Sequence, residues 1–125
     1  MLRLAALIAC LALPAAAQDG VSRTVLQQSF LNGAPDYTVI VSKLVLEPGA
    51  RIPLHRHPGD EHAVVLTDGT AEMADGSTMT LTPDMTMFFP MGTVHGGVTN
   101  TGDAPIEMLT THVVLATEPF QIPAD

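Results

Sequence analysis

Short runs rich in Val, Ile, Thr and Leu recur along the chain at residues 23–31, 37–46, 63–66, 70–73, 78–81, 85–89 and 106–115. Turn-forming residues separate them: Asn32-Gly33, Pro48-Gly49, Pro58-Gly59, Asp68-Gly69, Asp75-Gly76 and Thr101-Gly102-Asp103. β-Branched residues fit a pleated surface, and Gly, Pro, Asn and Asp take the angles that reverse a chain, so each run predicts a strand and each break a turn. Asp75-Gly76, between Ala71/Met73 and Met79/Leu81, predicts a hairpin with both turn residues at positive φ, the type I′ geometry. In the last run, alternation turns Glu107 to water and sends Ile106, Met108, Thr110 and His112 inward. No amphipathic helix, repeat or linker interrupts the pattern after residue 17. Many short strands at this spacing predict one all-β sandwich or barrel, with an open edge at residues 23–31 that invites pairing with a second chain as a homodimer.

Residues 1–17, MLRLAALIACLALPAAA, follow a different pattern. One positive charge at Arg3, an apolar run from Leu4 to Leu13, Pro14 and a small-residue end at Ala15-Ala16-Ala17 form a secretory signal cleaved after Ala17. This predicts a periplasmic or secreted protein whose single domain is 18–125. The run is too short for a stable membrane span. Leu7-Ile8-Ala9-Cys10 also has the form of a lipobox, so lipid anchoring through Cys10 is the alternative address.

Composition narrows the chemistry. The 125 residues include 13 acidic and 5 basic side chains, a formal charge of -8, and no Lys or Arg follows Arg56. That balance has the wrong sign for nucleic acid or an anionic membrane surface. Cys10 is the only cysteine and lies in the leader, so residues 18–125 offer no disulfide, thiolate nucleophile or sulfur-rich metal site. Neither a Gly-x-Ser-x-Gly elbow nor a phosphate-binding glycine loop followed by Lys is present.

Histidine and carboxylate are what remain. In Gly49-x5-His55-x-His57-x3-Glu61, strand geometry puts His55 and His57 on one face and Arg56 on the other; Pro58-Gly59 then turns the chain and can return Glu61 to the same point. Two imidazoles and a carboxylate suit a divalent first-row ion, and His95, in Pro90-x-Gly92-x2-His95, offers a further ligand. His112 on the inward face of the last strand is a second candidate for proton transfer beside Glu61, whereas His62 points away from Glu61. Met85 and Met87 share a face, which would allow a thioether copper site or simply fill an apolar interior. Phe88, Phe89, Met85, Met87 and Leu109 are the candidate pocket wall, suited to a small, largely apolar ligand. Arg51 near Pro53 could pair with an anionic ligand but reads first as a surface residue.

The two histidine segments together resemble the paired signature motifs of the cupin superfamily. Gly49, His55, His57 and Glu61 match the first motif, with its closing glycine one place late at Gly69. Pro90, Gly92 and His95 match the second, with Asp84 in place of the leading glycine and Asn100 one place late. Asp tolerates a left-handed turn, and the extra residues fall at turns. The resemblance covers residues of about 39–115. It implies a double-stranded β-helix, a jelly-roll-like antiparallel β-barrel, in which His55, His57, Glu61 and His95 hold one divalent ion, Fe, Mn, Ni, Cu or Zn. It further implies a metal-dependent enzyme on a small organic substrate, dioxygenase-like in the manner of quercetinases, or an isomerase or lyase, with Glu61 as proton acceptor. The alternatives are a non-catalytic periplasmic module that binds or senses a small ligand, and a barrel that the metal merely stabilises.

Overall fold

The computed structural model of the chain describes residues 19–125; the expected leader at 1–17, with Cys10, lies outside them. Every regular element among the described residues is a strand, and no helix there is long and apolar enough to cross a membrane. In order the strands are β1 (Val21–Leu31), β2 (Ala34–Leu46), β3 (Arg51–Ile52), β4 (His55–Arg56), β5 (Gly59–Val65), β6 (Gly69–Glu72), β7 (Thr78–Leu81), β8 (Thr86–Phe89), β9 (Val98–Asn100), β10 (Ile106–Leu115) and β11 (Ile122–Pro123).

They form a five-stranded antiparallel sheet, β1-β2-β10-β5-β8, and a four-stranded one, β3-β9-β6-β7, while β11 pairs with β4. One buried cluster takes Leu44 and Leu46 from β2, Val65 from β5, and Ile106 and Met108 from β10, together with Ala71 and Leu81 from β6 and β7 of the other sheet. The two sheets therefore face each other across a shared core, as expected of the jelly-roll-like double-stranded β-helix. Alternation is clean on β10, where Ile106, Met108, Thr110, His112 and Val114 are buried and the residues between them half-buried. β1 is the outer strand of its sheet and leaves Val25, Leu26, Phe30 and Leu31 exposed.

Two local expectations need correction. β5 begins at Gly59 and pairs Gly59 with Val114 of β10, so Pro58-Gly59 enters a strand where a full turn was expected. A Cβ on Gly59 would run into the Val113 backbone, a close approach that only glycine permits. Asp75-Gly76 reverses the chain, but Gly76 has φ +81° and Asp75 is not at positive φ. Gly76 N–H bonds to Met73 C=O at 2.9 Å, which makes a longer loop with a left-handed final residue instead of the type I′ turn. The short strands β3, β4, β9 and β11 are too brief for a periodicity to reveal. At Asp84, φ is 70°, the left-handed conformation that its place in the second motif requires.

Candidate metal centre

His55 lies in β4, and His55 and His95 exchange backbone hydrogen bonds at 2.9 and 2.8 Å, which holds the two histidine segments side by side. Glu61 sits on β5 between His112 of β10 and Phe89 of β8, each its direct neighbour in register. His55, His57, Glu61 and His95 each present one ligand atom, and these atoms lie within 4.8 Å of one another. The odd-even expectation holds at this point: His55 and His57 are buried and Arg56 between them is exposed.

The orientation of the rings follows from what each Nδ1 touches. His55 Nδ1 donates to Pro53 C=O at 2.8 Å, His57 Nδ1 to Phe120 C=O at 2.6 Å, and His95 Nδ1 to Thr93 C=O at 2.9 Å. A carbonyl only accepts, so in each ring Nδ1 carries the hydrogen and the Nε2 of a neutral imidazole keeps its lone pair. Three such lone pairs and a carboxylate, which is also an acceptor, converge on one point. His57 Nε2 is buried and makes no hydrogen bond, although it lies 3.2 Å from Glu61 Oε2. Buried acceptors aimed at one another are unfavourable unless a cation lies among them, and a borderline divalent ion fits a set of nitrogen and oxygen donors.

Protons are the other cation that these groups compete for. Burial pushes the His55 imidazole down to about 4. Burial alone would raise Glu61, yet imidazole nitrogens of His112, His57 and His95 at 3.3, 3.2 and 2.7 Å hold its carboxyl well below the usual carboxylate range. Burial likewise opposes charge on His95, but its 2.7 Å bond to Glu61 Oε2 outweighs that and raises its affinity for a proton. His112 is wholly buried, at 0% exposure, with neither ring nitrogen hydrogen-bonded; burial lowers its proton affinity despite Glu61 Oε1 at 3.3 Å.

The cluster lies at one side of a cavity of about 180 Å³. Of the expected wall, Met87 and Phe89 line it, and Phe89 stacks on His95 with centroids 4.2 Å apart. Phe88, Met85 and Leu109 do not line it. Phe88 is 54% exposed and stacks on the exposed His62; Leu109 lies on the outward parity of β10; Met85 packs beside the core with its sulfur accepting the Thr82 N–H at 3.2 Å. The pair Met85 and Met87 is thus split between two environments. Arg51 is exposed and bonds Thr99 Oγ1 at 2.9 Å. Asn100 is buried and ties the turn after β9, donating to Leu46 C=O and Ala104 C=O at 2.9 Å each.

Three contributions escaped the sequence pattern. Met73 and Met79 line the wall beside Met108, which alternation had already turned inward. Phe120 supplies the carbonyl for His57 and lays its ring 4.8 Å from His57 and 4.7 Å from His112, centroid to centroid. Arg23 also reaches the cavity. The parity of β1, which places Arg23 beside Val21, was the available signal for it.

Residues 42–112 match the cupin domain family. No curated protein matches the chain. Among similar solved structures, a cupin domain from Bordetella pertussis Tohama I is 25% identical, with 75% of this chain and 93% of that one covered and a TM-score of 0.55. The polyketide cyclase RemF from Streptomyces resistomycificus is 19% identical, with 85% and 72% covered and a TM-score of 0.62. The DMSP lyase DddQ from Ruegeria pomeroyi DSS-3 is 22% identical, with 90% and 56% covered and a TM-score of 0.60.

Proposed function

The chain belongs to the cupin family, and from that premise we propose that it is a metal-dependent enzyme acting on a small, largely apolar organic substrate, with His55, His57, Glu61 and His95 holding one divalent ion. The observation that carries this is the convergence of three imidazoles, each anchored through Nδ1, with a buried carboxylate at the side of an apolar cavity. A divalent ion bound there would supply a Lewis acid facing that cavity. Without an ion Glu61 is held ionised by its imidazole neighbours; with those nitrogens turned to a bound ion, its carboxylate would be the group that takes a proton from a substrate. His112, 3.3 Å from Glu61 Oε1 and closed off from solvent, is the second candidate to share that proton. Met87, Phe89 and the other wall residues exclude water from the reacting end of the substrate. That a polyketide cyclase and a DMSP lyase share the fold supports an enzyme, and it leaves the reaction class open among oxygenase, isomerase and lyase.

Glu61→Gln provides the test. It keeps an oxygen ligand and removes most of the basicity, so metal content should stay near that of the parent. Activity on any substrate found by oxygen-uptake and product screening with Fe, Mn, Ni, Cu and Zn forms should fall about a hundredfold or more, with little change in substrate affinity. Full activity in Glu61→Gln would move the proton-transfer role to His112. Ligand binding without turnover in any metal form would replace the enzyme with a binding module.

A further inference from the structure

Among the described residues the basic side chains are Arg23, Lys43, Arg51 and Arg56. Lys43 pairs with Glu107 at 2.6 Å, and Arg51 and Arg56 are exposed. Arg23 alone turns inward, onto the cavity that His55, Glu61 and His95 also line. Its Nη1 donates to Ser42 Oγ at 2.9 Å and Thr110 Oγ1 at 2.6 Å, and its guanidinium carbon lies 5.4 Å from the centre of the Phe120 ring. These contacts fix the group from one side. Among the described residues Nε and Nη2 have no hydrogen-bond partner, and no carboxylate lies within 4.0 Å of the guanidinium.

The strand register locates this group relative to the metal centre. Arg23 is paired with Leu44, and Leu44 with Met108, but the guanidinium leans along the strands to Ser42 and Thr110, the next inward pair. His112 and Glu61 form the inward pair after that. Successive inward pairs are about 7 Å apart, so the guanidinium stands roughly one such step from the carboxylate of Glu61. The ionisable groups lining the cavity are one guanidinium, one carboxylate and two imidazoles. With a divalent ion and neutral imidazoles the cavity would carry a net charge of about +2 inside apolar walls, where uncompensated charge is strongly unfavourable. Burial correspondingly lowers the proton affinity of Arg23, with Glu61 only partly restoring it.

We infer that Arg23 is the carboxylate-recognising end of this cavity, and that the substrate is a small organic acid whose charge sits on the free edge of the guanidinium while its apolar body lies along the methionines toward Glu61. The size follows from the volume: a cavity of about 150 Å³ takes a benzene, so about 180 Å³ suits a ligand of about six to eight non-hydrogen atoms. A planar fork with two open N–H edges matches a carboxylate better than a point charge would. The inference deepens the proposed function and rests on it only for the charge that the ion adds; the placement of Arg23 stands without it.

The test compares pentanoate with its neutral isostere pentanamide by calorimetric titration of the zinc-loaded protein, with zinc content measured separately. Pentanoate should bind about ten- to hundredfold more tightly. In Arg23→Met that ratio should fall to within about threefold of unity, with zinc content unchanged. No preference in the parent overturns the inference, and so does a full preference in Arg23→Met, which would mean that the metal alone takes the carboxylate. Should Arg23→Met fail to fold, Arg23→Lys carries the comparison: it keeps the charge without the fork, so a ratio below that of the parent supports the inference and an unchanged one overturns it. A parent protein that takes up no zinc and still prefers pentanoate would remove the metal from the proposed function and leave Arg23 in its role.

Discussion

At the scale of single residues, the chemistry of the cup was the most legible part of the chain. His-x-His with a carboxylate four positions on needs only strand parity to be placed, and His112 lies on the inward face for the same reason. Arg23 was legible only through the parity of β1, which sets it on the half-buried face with Val21; its charge taken alone reads as a surface residue. Removing a ligand should have a sharp effect: His57→Ala or His95→Ala is expected to bring bound metal to less than about a tenth of an equivalent and to lose the stabilisation that the ion gives, about 4 kcal/mol at a thousandfold excess over Kd. His62→Ala, on the opposite face and stacked on Phe88, should change neither. Elemental analysis and thermal melts with and without chelator would show this. Proton binding gives a second expectation, for the metal-free protein. His55 has an ordinary pKa of 6.5 in the unfolded chain and about 4 when folded, so between those values the unfolded state binds the extra proton. Its contribution is therefore full above about 6.5 and is lost progressively as pH falls toward about 4; His112 acts in the same sense, and His95, whose affinity is raised, acts in the opposite one. Between pH 7 and 5 the urea unfolding free energy of the parent should drop by about 1–2 kcal/mol more than that of His55→Asn, and equal drops would count against burial of a neutral His55.

Elements were legible where they were long. The runs at 37–46 and 106–115 reappear as β2 and β10, because alternation over ten residues leaves one arrangement in which the apolar face is covered. The two- and three-residue strands around the cup could not be read, since their pairing is set by partners far along the chain: β3 with β9, β4 with β11. Gly96 belongs to the same class. It has φ +87°, and a Cβ there would collide with Pro53 C=O and come within 3.0 Å of His55 Nδ1, the very pair whose hydrogen bond aims the His55 ring. Gly96→Ala should cost about 1–3 kcal/mol of stability and weaken metal affinity about ten- to hundredfold. Gly33→Ala, with φ +83° but open space around its Cβ, should cost about 1–2 kcal/mol and leave metal affinity unchanged. Chelator competition on both variants separates the two effects.

For the whole molecule, the double-stranded β-helix was legible through its paired motifs, and the expectation of a homodimer rests on the open edge alone. The outer strand β1 exposes Phe30 at 69% and Leu26 at 59% alongside unpaired backbone groups, a surface that a second copy would cover. Light scattering should therefore give twice the chain mass, and Phe30→Glu with Leu26→Lys should give the single-chain mass with the fold intact; a monomeric parent would dispose of the proposed homodimer. The carbonyl that orients His57 has a further consequence, in time. It belongs to Phe120, 63 positions later in the sequence. A growing chain gains about 5–20 residues per second, so His57 exists for about 3–13 seconds before the group that aims it has been made. During that interval the imidazoles lack the geometry of a site and would hold any ion only loosely. With the proposed ion, selection would be deferred until the barrel has closed, and the surroundings in which folding ends, more than those in which synthesis began, would decide which ion the cup keeps.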